Sequence, residues 1–199
     1  MKILAFTDLH GSKRAIAHIV SDAKKEDVDL LVCAGDISFF EGDLDEIISK
    51  FGSTGKKLII IPGNHEDESI LKNTCKKHSF CVYLHKASYV FGNFVFFGFG
   101  GGGFSSRYRD LEEITKKFKN TLKKDQKVIF VTHAPVYGTK TDYLDFAGHV
   151  GSKSAREFIS EINPTIVICG HLHENEGVID HVGKTLVINP GRIGRILEF

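Results

Sequence analysis

The chain has 199 residues, 42% of them apolar and 26% charged, an ordinary globular composition with enough length for one domain and a substantial core. A net charge of +1 excludes the strong surface field that draws nucleic acid or acidic lipid, so anion binding must be local and the expected partner is small. The apolar run at residues 1–6 meets Thr7 and Asp8 too soon for the apolar region of a signal peptide, so a cytoplasmic location is expected.

β-type runs alternate with helical periodicity through the first third: a strand over 3–7, a helix from Ser12, a strand over 30–33, a helix from Asp43, a strand over 58–61 and a helical stretch from Glu66. Leu44, Ile47, Ile48 and Phe51 make one apolar helix stripe, with Asp43 as the expected N-cap and Glu46 in the first turn. Residues 87–106 carry no charge, a length that on its own suggests a membrane span. Their glycines and Asn93 argue instead for a buried hairpin, Tyr89-Val90-Phe91 and Phe94-Val95-Phe96-Phe97 around Gly92-Asn93. A glycine-rich stretch over 98–103 precedes a helix with Leu111, Ile114 and Phe118, capped at Asp110 and with Glu113 near its start. Strands over 127–131 and 165–169 flank another helix, whose stripe is Ala155, Phe158, Ile159 and Ile162. Segments 178–180, 184–188 and 193–199 read as antiparallel strands without helices. The sum is an α/β fold: a layered two-sheet sandwich flanked by helices, one domain over 1–199, with no repeat or linker.

Five short motifs stand where apolar runs end: Asp8-Leu9-His10, Gly35-Asp36, Gly63-Asn64-His65-Glu66, Thr132-His133 and Gly170-His171-Leu172-His173. Strand ends are where ligands collect on an α/β sheet, so the five loops can converge. Their carboxylates, imidazoles and one amide form a mixed oxygen and nitrogen set suited to first-row divalent metals, and the absence of thiolates disfavours a structural zinc site. One metal leaves several of these groups unused; two metals about 3.5 to 4 Å apart use them all, in the arrangement that clamps an in-line phosphoryl displacement.

The order and spacing of these motifs resemble the calcineurin-like metallophosphoesterase superfamily over residues 1–192, nearly the whole chain. The resemblance implies that Asp8, His10, Asp36 and His173 hold one metal and Asp36, Asn64, His133 and His171 the second, with Asp36 bridging. It also implies that His65 is no ligand but the general acid facing the scissile phosphate, and that a hydroxide activated by both metals is the nucleophile. The implied activity is hydrolysis of phosphodiesters, or of phosphomonoesters, on small phosphorylated substrates. Mn, Fe, Zn, Ni and Co all suit such a site. Protein phosphatases of the superfamily place an arginine downstream of the second motif, where this chain reads Ile37-Ser38-Phe39-Phe40, and the repair nucleases add a DNA-facing domain. A small substrate is therefore expected over a protein or duplex nucleic acid. A broad phosphomonoesterase is the alternative enzyme, and a non-catalytic interaction scaffold the alternative class, disfavoured because every ligand position is filled.

Other residues carry paired readings. Glu66 either orients a ligand and raises the His65 pKa or begins the next helix. Arg107 and Arg109, after the glycine-rich stretch, either bring guanidinium groups to a substrate phosphate or are solvated loop residues. His149 either faces the pocket or belongs to the long connection over 138–151, which with Lys140, Asp142, Tyr143 and Asp145 forms a candidate pocket wall. Asn189-Pro190-Gly191-Arg192 resembles the family's closing Asn-x-Gly turn and reads as structural. The four cysteines show no Cys-x-x-Cys spacing; Cys75 and Cys81 can approach each other, and the reduced state is expected.

Overall fold

A computed structural model of the chain describes residues 1–39, 43–102 and 105–199; Gly103, the last residue of the expected glycine-rich rim, lies outside them. In chain order the strands and helices are β1 (Lys2–Phe6), α1 (Lys13–Lys25), β2 (Leu30–Cys33), α2 (Leu44–Gly52), β3 (Lys57–Ile60), α3 (Glu68–Lys76), β4 (Cys81–Tyr83), β5 (Ala87–Phe91), β6 (Phe94–Phe99), α4 (Arg109–Lys119), β7 (Lys127–Thr132), β8 (Tyr143–Leu144), β9 (Gly148–His149), α5 (Lys153–Ile162), β10 (Ile166–Ile168), β11 (Ile179–Val182), β12 (Thr185–Ile188) and β13 (Arg195–Glu198). Among the described residues no helix is long and apolar enough to cross a membrane.

Two sheets carry the expected layered architecture. The first has the order β13-β1-β2-β3-β4 and the second β11-β12-β10-β7-β6-β5. Strands β1 to β4 run parallel, as do β6, β7, β10 and β12. The period-2 alternation of side chains then sorts the apolar residues into layers. Ile3 and Ala5 of β1 and Leu30 and Val32 of β2 meet Ile129 and Val131 of β7 and Ile166 and Ile168 of β10 between the sheets. The alternate residues Leu4, Phe6, Leu31 and Cys33 face Ile16, Ile19, Ile48 and Phe51 of α1 and α2. On the far side, Phe97 and Phe130 stack with Phe118 and Phe158 of α4 and α5, with ring centroids 4.0 to 5.2 Å apart for three of the pairs.

Several expectations need correction. The last strand leaves its sequence neighbours: β11 and β12 form an antiparallel pair, but β13 crosses to the first sheet and pairs antiparallel with β1. Asp110 is inside α4 rather than its N-cap, a position held by Tyr108, and its carboxylate takes Lys86 at 2.9 Å. Asp43 does precede α2 but makes no capping hydrogen bond. The helix after the third motif starts at Glu68, because Asp67 accepts from the Ser69 and Ile70 N–H groups, and this leaves Glu66 outside it. The hairpin is buried only on its β6 side; β5 is an edge strand with Val90 56% exposed.

Candidate metal centre

Because the motif-bearing strands run parallel within each sheet, all five motifs leave at one edge. β1, β2 and β3 are neighbours in the first sheet, β7 and β10 in the second, and their exits meet across the sandwich. The loops after β1 and β2 are zipped together by Asp8 N–H to Gly35 O (3.1 Å), His10 N–H to Asp36 O (2.9 Å) and Gly11 N–H to Ile37 O (2.9 Å). These loops and the one after β10 carry unusual backbone: Asp8, His10, Asp36 and His171 all adopt left-handed φ of 56°, 44°, 51° and 72°. They are half of the eight non-glycine positive-φ residues among those described, and such strain persists where surrounding structure over-determines it, often at functional sites. Gly63 is dictated by space, since a Cβ there would collide with the Asp36 carboxylate.

Each carboxylate is anchored by one oxygen and aims the other inward. Asp36 Oδ1 accepts the His65 N–H (3.0 Å), and Oδ2 lies 3.4 Å from His133 Nε2, 3.8 Å from His10 Nε2 and 3.9 Å from His65 Nε2. Asp8 Oδ2 accepts the His171 N–H (3.0 Å), while the buried Oδ1 has no hydrogen-bond partner among the described residues and lies 3.6 Å from His173 Nε2 and 3.9 Å from His10 Nε2. His10 Nε2 and His173 Nε2 are 3.0 Å apart. Asn64 Oδ1 lies 2.9 Å from both His133 Nε2 and His171 Nδ1. The His133 Nδ1–H donates to Ala34 O (2.9 Å), which turns Nε2 toward Asn64 Oδ1 and Asp36 Oδ2.

Oxygens and ring nitrogens 2.9 to 3.9 Å apart, gathered in sets of three residues with ligand atoms within 4.8 Å of one another, have the spacing of groups around a cation. Bonds of about 2.1 Å to a divalent metal set neighbouring ligand atoms about 3.0 to 3.6 Å apart, close to these separations. The donor set therefore fits metal, and the ionisation of the groups agrees. Burial works to raise the Asp36 pKa, but the His133 hydrogen bond and charge overcome it and hold it at about 2. Burial works to lower His133, and the Asp36 contact overcomes that, raising it to about 9. A metal entering between them must displace that proton. His171 falls to about 4 through burial and the His133 charge, and His10 is lowered chiefly by burial, so both keep nitrogen lone pairs at neutral pH.

Glu66 proves to be the brace of this arrangement. Its Oε2 accepts the N–H groups of Asp36 (3.0 Å) and Gly63 (2.8 Å), and its Oε1 those of Ser38 (N–H 2.9 Å, O–H 3.1 Å). It is buried, and burial raises its pKa against these donors. The sequence left this role open beside a helix start, because three of the four contacts are to Asp36 and Ser38, 30 and 28 positions earlier. Phe39, 62% exposed, stacks on His65 with centroids 5.2 Å apart and meets His10 edge-on.

The remaining expected residues make their contacts elsewhere. Arg107 is held by Glu112 (2.9 Å) and Glu157 (2.8 Å) on α4 and α5. Arg109 lines a cavity of about 260 Å³ with Glu68, His85, Lys86 and Tyr108. His149 Nδ1 lies 2.8 Å from Asp142, whose buried carboxylate also accepts from the N–H groups of Gly138, Thr139 and Gly151 and so organises the 138–151 connection. Asn175, two residues past His173, donates to the carbonyls of Thr141 and Tyr143, which sets that connection beside the cluster as a wall. The Asn189 amide donates to Leu172 O (3.0 Å), steadying the segment between His171 and His173. Cys75 and Cys81 are free thiols with sulfurs 3.1 Å apart.

Known proteins share this architecture. A protein of Methanocaldococcus jannaschii, "Uncharacterized protein MJ1162", is 34% identical over 96% of this chain and 88% of its own length. The crystal structure of TT1561 of Thermus thermophilus superposes with a TM-score of 0.75 at 16% identity, covering 96% of this chain and 89% of that one. A structure described as a novel archaeal phosphodiesterase gives a TM-score of 0.53 at 20% identity, over 96% and 84% of the two chains. At these identities the structural likenesses speak for the fold. The model of the calcineurin-like phosphoesterase family matches residues 1–175, so the metal-binding groups gathered at one sheet edge are those of a metal-dependent phosphoesterase, a hydrolase of phosphoric esters that belongs to that family.

Proposed function

We propose that this chain hydrolyses phosphodiesters of small molecules at a dinuclear metal site. The observation that carries this reading is the convergence of Asp8 Oδ1, Asp36 Oδ2, Asn64 Oδ1 and ring nitrogens of His10, His133, His171 and His173 at one sheet edge. Asp8, His10, Asp36 and His173 form one set and Asp36, Asn64, His133 and His171 the other, with Asp36 Oδ2 facing both. Two divalent cations held by these residues would supply a bound water of lowered pKa and would neutralise charge on the phosphoryl oxygens.

The protein's own groups do the rest. Glu66 fixes the backbone of Asp36, and His133 is oriented through Ala34 O. His65 is assigned as general acid, protonating the leaving alkoxide from Nε2. Distance alone does not separate it from a ligand, since its Nε2 is as near to Asp36 Oδ2 (3.9 Å) as that of His10 (3.8 Å). The stack with Phe39 supports the acid role: it holds the imidazole plane and offers an apolar face to a second ester substituent. That face favours a diester, which carries a second substituent to lie on it, over a monoester.

The test is hydrolysis of bis(p-nitrophenyl) phosphate and p-nitrophenyl phosphate by metal-stripped protein, before and after adding Mn, Fe, Zn, Ni or Co, with bound metal counted per chain. Activity returning as the second metal binds, and higher on the diester, is expected. Preference for the monoester would replace the diesterase reading with a phosphatase; full activity at one metal per chain would remove the dinuclear site.

A further inference from the structure

β12 runs parallel to β10 and ends at the same sheet edge as the five motifs, so its exit, Asn189-Pro190-Gly191-Arg192, is a sixth loop at the candidate centre. Thr7 N–H donates to Gly191 O (3.1 Å), tying this turn to the loop that presents Asp8. Arg192 lines a cavity of about 130 Å³ together with Asp8, His10 and His173. Glu176, three residues past His173, holds it: one carboxylate oxygen accepts the Arg192 backbone N–H (2.7 Å) and the other its Nε–H (3.2 Å). The same side chain packs where a Cβ at residue 191 would stand, so glycine there lets Glu176 reach under the turn. With Nε committed, the two Nη groups have no partner among the described residues, although the side chain borders the cavity. Four N–H donors on a fixed planar fork match two oxygens of a phosphoryl group.

We propose that Arg192 binds the non-bridging oxygens of the substrate phosphoryl group, with Glu176 as its positioning residue, supplying from β12 the guanidinium that the second motif lacks. This rests on the phosphoesterase reading of the centre. Arg192 also lines a second cavity of about 760 Å³ along α1, with Ser12, Arg14 and His18, so the group attached to that phosphate has a path out of the centre beside it.

The experiment uses the metal-loaded full chain. Wild type, Arg192→Ala, Arg192→Lys and Glu176→Gln are compared in bound metal per chain, in binding of radiolabelled inorganic phosphate by equilibrium dialysis, and in kcat and KM on the two p-nitrophenyl esters. Arg192→Ala should keep its metals, bind phosphate at least about 10-fold more weakly and lose about 100-fold in kcat/KM, the scale of removing one preorganised donor to a reacting oxyanion. Added guanidinium should restore part of the Arg192→Ala activity and leave wild type unchanged. Arg192→Lys keeps the charge but not the fork and should fall between. Unchanged phosphate affinity in Arg192→Ala with metals retained overturns the proposal. If wild type turns over neither ester, the substrate reading fails while phosphate binding still decides the role of Arg192.

Discussion

Glu66→Gln is the sharpest test of how this centre is built. The carboxylate accepts four donors, two on each oxygen, and three of them are backbone N–H groups. A glutamine amide keeps one oxygen and replaces the other with a donor. Its best orientation keeps the oxygen on Asp36 and Gly63 and turns the NH2 toward Ser38, whose hydroxyl can reverse and accept. The Ser38 N–H is then left buried without a partner, at about 1 to 3 kcal/mol, and two charge-assisted bonds become neutral ones, at about 1 kcal/mol each. The upper bound is therefore about 5 kcal/mol. Relief of a buried charge, the cause of the raised Glu66 pKa, offsets part of it, and a net loss of about 1 to 3 kcal/mol is expected. For a chain of this length that lowers Tm by about 2 to 12 °C. The Asp36 N–H then rests on a neutral oxygen in place of a charged one and the Ser38 side of the same loop loses its backbone anchor, so metal affinity should fall about 10- to 100-fold. Thermal unfolding of the metal-free protein and metal titration against a competing chelator measure the two effects. Wild-type Tm and wild-type metal affinity in Glu66→Gln would refute the bracing role.

His65→Asn should retain its metals and lose turnover most steeply on esters with poor leaving groups; normal rates on an alkyl ester would remove His65 as the acid. Asp36→Asn should weaken both metals, because the oxygen that faces both sets loses its charge; two tightly held metals in that variant would refute the shared position. His85, whose side chain is 4% exposed, accepts the Gly100 N–H on Nδ1 (2.8 Å) and has a pKa lowered to about 4, chiefly by burial. Its folded pKa lies below the unfolded 6.5, so its contribution is complete above pH 6.5 and is lost as pH falls toward 4, by about 3 kcal/mol in all. The metal-free Tm should fall over that window, and by less in His85→Gln; parallel pH profiles for the two would refute the assignment.

The residues themselves settled the chemistry. Asp8, Asp36, Asn64, His133 and His171 are recognisable because each follows an apolar run, and the period of such a run is a local property that needs no partner strand. The helical stripe Leu44-Ile47-Ile48-Phe51 and the sorting of Ile3 from Leu4 are local in the same way. Pairing is not local. Residues 193–199 read as a strand beside their neighbours, yet β13 pairs with β1, because the open edge of the first sheet lies within reach of the chain end and only the assembled sheets show it. Asp110 has the composition of a cap and serves instead as partner to Lys86 across the fold. Glu66 is ambiguous in the sequence and Arg192 reads only as part of a turn, for one reason: their meaning lies in Asp36, Ser38, Glu176 and the β12 exit, groups brought beside them by strand order, which no spacing along the chain encodes.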